Sequence, residues 1–227
     1  MRAWRCAGRP VSGHRTVQAK AMSAGATVSL LLLDIGGVLL TNGWSTASRL
    51  EAARRFGIDY EEMNGRHHMI FDSYERGRVS LDTYLDRVVF FCERPFTRDE
   101  FKSFMFAQSQ PMPETLDLFR GAAKRNPVRV AALSNEGREL TTYRIAKFKL
   151  SDFVEFFVCS CFVNCRKPDD EIYRMALDMA QASPEHTLYF DDRSMFVEAA
   201  RGLGIRSFHH KNLEGTRSAL LEAGLSV

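Results

Sequence analysis

Four short stretches of this chain carry residues that can do chemistry together. Residues 28–33 (VSLLLL) run straight into Asp34, and Gly36 and Gly37 follow it. Residues 128–133 (VRVAAL) run into Ser134 and Asn135, and residues 187–190 (TLYF) into Asp191 and Asp192. Between the last two lies Arg166-Lys167-Pro168. A carboxylate directly after four leucines and before two glycines is hard to explain as packing. Asp34, Asp191 and Asp192 repel one another unless a hard cation sits among them. Mg²⁺ prefers one or two carboxylates together with waters and phosphate oxygens. An aspartate held beside Mg²⁺ can attack phosphorus, while the Ser134 hydroxyl and Lys167 neutralise phosphoryl oxygens. Glycines at 36 and 37 let the backbone turn tightly and approach a ligand.

These residues need a scaffold that brings them to one place. The short apolar runs read as buried strands, as do residues 156–159 and 205–208. Helical patterns separate them at 113–125, 137–148, 169–181, 195–203 and 213–223. This alternation predicts an α/β fold, a Rossmann-like doubly wound parallel sheet with helices on both faces. Ligands bind such sheets outside the carboxyl ends of the strands, where all four stretches then lie. Residues 45–110 differ: they show helical periodicity at 45–56, 60–74, 80–91 and 97–107 and no convincing strand. Ser80 and Thr97 read as N-caps, and Thr97 with Glu100 as a capping box. The predicted organisation is a core of residues 28–43 and 111–227, with a helical cap of residues 44–110 inserted after the first strand and turn.

Composition narrows the class. With 227 residues, 26% charged and 45% apolar, the chain reads as an ordinary soluble globular protein. It is long enough to bury a core without metal or disulfide support. No apolar run approaches the roughly 20 residues needed to span a bilayer. Five cysteines without framework spacing imply reduced thiols in a cytoplasmic protein. The net charge of +3 is uneven: residues 1–33 hold five bases and no acid, which leaves 26 bases against 28 acids elsewhere. The body is near neutral, so charge offers no case for nucleic-acid binding. Residues 1–27 lack periodicity and read as a disordered or artefactual tail, with Met22 a plausible start and an Arg-rich transit peptide the alternative.

In order and spacing, the four stretches resemble the motifs of the haloacid dehalogenase (HAD) superfamily: 33–39 (LDIGGVL), 133–135 (LSN), 166–168 (RKP) and 189–192 (YFDD), the last followed by 199–204 (AARGLG). The helical insert is placed like a C1-type cap. Residues 166–173 (RKPDDEIY) and 74–78 (YERGR) look most like bacterial sugar-phosphate phosphatases acting on glucose 1-phosphate. The resemblance implies an aspartyl-phosphate mechanism, with Asp34 as nucleophile and metal ligand. Asp192, Asp191 and the backbone carbonyl of Gly36 would complete the Mg²⁺ site. Ser134 and Asn135 would hold the phosphoryl group, and Lys167 would steady Asp34 and the transferring phosphate. The implied partner is a small phosphorylated metabolite, and the implied assembly a monomer or homodimer.

Two positions depart from the superfamily pattern. Its acid/base aspartate, two residues after the nucleophile, is here Gly36, a feature the resembling subgroup shares. General acid–base catalysis contributes about 10²–10⁴-fold, so a slow enzyme or an acid from elsewhere is expected, with Asp72 and Glu75 of the cap as candidates. Met195-Phe196 stands where an Asp or Asn often supports the metal site. Two rival readings follow. One is a 2-haloacid dehalogenase, in which Asp34 attacks carbon without Mg²⁺; the Asp191–Asp192 pair speaks against it. The other is a catalytically impaired fold kept as a binding module. Cys159, Cys161 and Cys165 do not have paired zinc spacing and are expected to be buried thiols. His67-His68 and His209-His210 are expected at the surface or in the cap, and the Phe-rich stretch 90–106 in the cap core.

Overall fold

The computed structural model describes residues 27–227. The expectation of a tail over residues 1–27 therefore falls outside the described residues except at Thr27, whose carbonyl lies 2.6 Å from His186 Nδ1. Five strands form one parallel sheet: β1 (Leu30–Leu33), β2 (Arg129–Ser134), β3 (Phe156–Cys159), β4 (Thr187–Asp191) and β5 (Arg206–His209). Their order is β3-β2-β1-β4-β5, so the direction of winding reverses at β1. Leu33 is in register with Ala132 of β2 and Phe190 of β4, so Asp34 leaves the sheet between those two strands. The four leucines of β1 alternate faces: Leu31 and Leu33 enter one core cluster, Leu30 and Leu32 the other. Burial on both sides is why the strand reads as a continuous apolar run instead of an alternating one.

Helices cover both faces. Leu116 and Phe119 of α5 (Pro113–Arg125, following the four helices of the insert) pack with Ala219 and Leu220 of the terminal helix (Leu213–Glu222) on one side. Ile172, Tyr173 and Ala176 of the helix Asp170–Ala180 and Ala200 of the helix Ser194–Gly202 fill the other. We number these α8 (Asp170–Ala180), α9 (Ser194–Gly202) and α10 (Leu213–Glu222). They follow α6 (Arg138–Lys147) and a one-turn α7 (Ser160–Val163) that the sequence pattern does not announce. Element ends otherwise fall within a few residues of expectation.

The insert comprises α1 (Thr46–Phe56), α2 (Tyr60–Glu75), α3 (Leu81–Val88) and α4 (Arg98–Ala107). Their apolar faces form a third cluster that takes Leu140 from α6. Each helix opens on a capping side chain, Ser45, Asp59, Ser80 and Thr97, and the Thr97–Glu100 capping box is formed. The expected helix 80–91 ends at Val88. Phe91 lies outside the cap cluster, beneath the Arg66 guanidinium at 3.5 Å. Helix α2 carries most of the polar seam between cap and core. Arg76 pairs with Asp169 at 2.9 Å, Arg166 lies 2.6 Å from Glu75, and the Ser160 hydroxyl donates to the Glu75 carbonyl at 2.6 Å.

Candidate active site

The parallel register places Asp34, Ser134 and Asp191 at one edge of the sheet, at the carboxyl ends of β1, β2 and β4. The Asp34 amide donates to the Phe190 carbonyl at 2.9 Å, and its Oδ1 accepts the Ile35 amide at 2.7 Å. Lys167 is fully buried between the carboxylates. Its Nζ lies 3.1 Å from Asp34 Oδ2 and 2.6 Å from Asp191 Oδ2, and it donates to the Leu133 carbonyl at 2.9 Å. Burial pushes the Asp34 carboxyl up to about 7; Lys167 opposes this, and Asp191 and Asp192 add to it. Burial alone would lower the Lys167 ammonium, but Asp191 and Asp34 outweigh it and the group is held above its ordinary value.

Asn135 takes a place the resemblance does not imply. Its side chain clamps the Lys167 backbone, accepting from the amide and donating to the carbonyl, both at 2.9 Å. Asn135 also lines the cavity over Asp34, so it positions the lysine at the edge of the site. Asp191 is also fully engaged. Oδ2 accepts from Lys167 and the Tyr189 hydroxyl, and Oδ1 accepts the Arg193 amide at 2.8 Å.

Asp192 differs from its neighbour. Oδ2 accepts from Asn42 Nδ2 at 2.9 Å, while Oδ1 is buried without any hydrogen-bond partner. Asp34, Asp191 and Asp192 each offer an oxygen within 4.8 Å of the others, the only such acidic, histidine or cysteine group among the described residues. A hard cation fits this donor set. It would satisfy the orphaned oxygen and relieve the repulsion. Gly37 allows the approach: its φ is +75°, and a β-carbon there would collide with the Asp192 carboxylate. At Gly36 a β-carbon would come 2.9 Å from Asn42 Oδ1 and 3.6 Å from Arg144 Nη1.

Several sequence expectations change here. Asp72 is bonded to Arg76 at 3.1 Å and faces Arg166 at 3.4 Å; it does not line the cavity over Asp34, whereas Glu75 does. Phe196 is buried, lines the cavity and lies 5.1 Å from Lys167 Nζ, so its ring covers the lysine. His210 is buried and His209 only partly exposed, and both lie in the core and not in the cap. His209 Nε2 lies 2.9 Å from the Asp192 carbonyl, and the buried His210 lies 2.6 Å from the Thr216 hydroxyl. Cys159, Cys161 and Cys165 are free and buried, as expected.

Other residues of the site escaped the sequence reading: Asn42, Glu136, Arg144, and the chain of Trp44, Tyr84 and His67. The Trp44 indole donates to the Tyr84 hydroxyl at 2.7 Å, leaving that hydroxyl to donate to His67 Nδ1 at 2.8 Å. Trp44 and His67 line the cavity. Glu136 follows Ser134-Asn135 directly, and that adjacency was a usable signal.

Asp34 thus lies against Lys167 in an acidic trio whose oxygens a hard cation would fit. The chain belongs to the haloacid dehalogenase-like hydrolases, whose family profile matches residues 28–204. It is 24% identical over 192 residues to D-ribitol-5-phosphate phosphatase of Bacteroides thetaiotaomicron, covering 80% of this chain and 91% of that protein. It is 25% identical over 182 residues to flavin mononucleotide hydrolase 1 of Arabidopsis thaliana, covering 76% and 69%. A HAD family enzyme of Bacteroides thetaiotaomicron, solved with magnesium and inorganic phosphate, superposes with a TM-score of 0.68 at 21% identity, over 81% of this chain and 94% of that one. No helix among the described residues is long and apolar enough to cross a membrane.

Proposed function

We propose that this chain is a Mg²⁺-dependent phosphomonoesterase that hydrolyses a small phosphorylated metabolite of the sugar-phosphate class through an aspartyl-phosphate on Asp34. The observation that carries this reading is the buried, unpartnered Asp192 Oδ1 beside Asp34, whose own charge is disfavoured without a cation. Asp34, Asp192 and the Gly36 carbonyl would hold the ion, with Asp191, whose oxygens already accept protein hydrogen bonds, behind them. When bound, Mg²⁺ neutralises the clustered carboxylates and the phosphoryl oxygens. Asp34 attacks phosphorus. Lys167, fixed by Asn135 and Asp191, holds Asp34 in line and meets the charge on the transferring group, as does Ser134. The cap, residues 44–110, closes over the core of residues 28–43 and 111–227 and excludes water.

Relatives named for ribitol phosphate and flavin mononucleotide support a phosphate monoester as substrate. So does the "phosphorylated carbohydrates phosphatase" of Thermotoga maritima, 30% identical over 104 residues, 44% of this chain and 47% of that protein. A dehalogenase needs no cation and leaves the buried, unpartnered Asp192 Oδ1 without a role. The test is a panel of phosphorylated metabolites and 2-haloacids, assayed with Mg²⁺ and with EDTA. Hydrolysis of phosphate esters that EDTA abolishes and Mg²⁺ restores is the expected result. Metal-independent halide release overturns it.

A further inference from the structure

Gly36 leaves this enzyme without a side chain where an acid/base would follow the nucleophile. Two carboxylic acids besides Asp34 line the cavity over it, Glu75 and Glu136. Glu75 comes from the cap and lies 2.6 Å from the Arg166 guanidinium, which opposes the upward push of burial on its carboxyl without cancelling it. Glu136 comes from the turn after β2, two residues beyond Ser134, and its own amide is fixed by the Ser160 hydroxyl at 3.1 Å. Its Oε1 accepts the Gly137 amide at 3.0 Å, and its Oε2 lies 3.4 Å from Arg144 Nη1.

Arg144 ties this acid to the gap at residue 36. A β-carbon on Gly36 would project to 3.6 Å from the same Nη1 that faces Glu136. The direction a side chain at 36 would take thus leads, across one guanidinium, to the Glu136 carboxyl. Arg144 is itself held by the Ser109 hydroxyl at 2.9 Å and the Thr41 carbonyl at 2.6 Å, so the spacing is built and not incidental. Burial pushes the Glu136 carboxyl up to about 7, against Arg144 and with Glu75 and Asp34 adding to the rise. An acid near neutrality both gives and takes a proton well.

A second observation marks the same place. Tyr74 of the cap is 2% exposed and lines the cavity, and its hydroxyl is buried without a partner. Its ring lies so close over Gly137, the residue after Glu136, that no β-carbon fits there. A buried hydroxyl with no partner is costly unless a ligand atom completes it.

We propose that Glu136 is the general acid/base of this enzyme and that the Tyr74 hydroxyl binds the leaving oxygen beside it. The proposal rests on the phosphatase reading. As the Asp34–phosphorus bond forms and the ester P–O bond breaks, Glu136 gives its proton to the departing oxygen, which leaves as an alcohol. Water then attacks phosphorus. Its proton goes to the Glu136 carboxylate, the bond to Asp34 breaks, and both residues return to their starting states.

The test compares an alkyl phosphate with a nitrophenyl phosphate, whose leaving group needs little protonation, on the full chain with Mg²⁺. Glu136→Gln is expected to lower kcat on the alkyl ester by about 10²-fold or more. On the nitrophenyl ester it should keep a burst of nitrophenol and then stall, with phosphorylated protein visible in the intact mass after acid quench. Both the burst and the alkyl-to-aryl ratio are normalised to active protein, so a loss of folded fraction does not imitate them. Glu136→Asp should recover part of the alkyl rate. Equal losses on both esters without phosphoprotein accumulating, or the leaving-group-dependent loss appearing in Glu75→Gln instead, would overturn the assignment. A wild-type protein inert toward both esters fails the phosphatase reading itself, and this one with it.

Discussion

Asp34 occupies a position where its charge is unwelcome without a cation. It is buried beside two other acids, with one lysine shared among them. Asp34→Asn should cost at least about 10³-fold in kcat, because nucleophile and metal ligand are lost together. In EDTA the same change should leave the melting temperature equal or raise it, since it removes a buried charge that burial already disfavours. A drop in metal-free melting temperature would contradict this account. Gly36→Asp restores the superfamily's usual acid at that position. The new β-carbon would meet Asn42 Oδ1, and Asn42 cannot swing away without releasing Asp192. We expect activity toward sugar phosphates to fall. A gain of about 10-fold, the scale an added acid can supply, would show that the position is a simple loss. Asp34, Lys167, Asp191 and Asp192 were legible in the sequence because each follows an apolar run or an ordered motif. Asn42 and Arg144 were not, because their roles depend on two segments about 100 residues apart in the chain meeting at Gly36.

At the scale of elements, α2 and α3 are joined through buried polar groups. His67 on α2 accepts from Tyr84 on α3, and its pKa is held down at about 3, first by burial and then by Arg49 and His68. An unfolded chain binds a proton to this ring below about 6.5, and the folded one does not. The stability contributed by the neutral ring is therefore present above pH 6.5 and lost as the pH falls from there toward 3. At pH 5 the loss is about 2 kcal/mol. His67→Gln, which keeps an acceptor for Tyr84, should flatten the fall in urea-unfolding free energy between pH 7 and pH 5 by about that amount. An unchanged slope would mean that the ring protonates freely. The helices themselves were readable from periodicity and caps. The end of α3 and the one-turn α7 were not: tertiary contacts, such as Phe91 beneath Arg66, decide such short pieces.

For the whole molecule, a cation that binds only the folded state should stabilise it by mass action. Mg²⁺ at about 100 times its Kd is expected to add about 2.7 kcal/mol. That is a rise of about 5–10 °C for a chain of this size, and Asp192→Asn should reduce it. The parallel sheet covered on both faces could be anticipated because leucines buried on two sides leave a plain signature; the strand order could not. The packing of cap on core could not, since it rests on charges that look like an ordinary solvated surface in sequence.

That seam has a kinetic consequence. Arg76–Asp169 and the contacts of Arg166 with Glu75 and Asp72 bridge the two bodies through partly exposed side chains. Each such pair holds by only about 0.2–1 kcal/mol, and dissolved ions weaken it. If product escapes when the cap lifts, added salt loosens the closure and hastens that step, while it dilutes the closed state in which phosphorus is attacked. Ionic strength then acts as a throttle with an optimum. The rate should rise with salt while release is slow and decline once closing becomes the bottleneck, and Arg76→Ala should reach its maximum at a lower salt concentration than the wild-type chain.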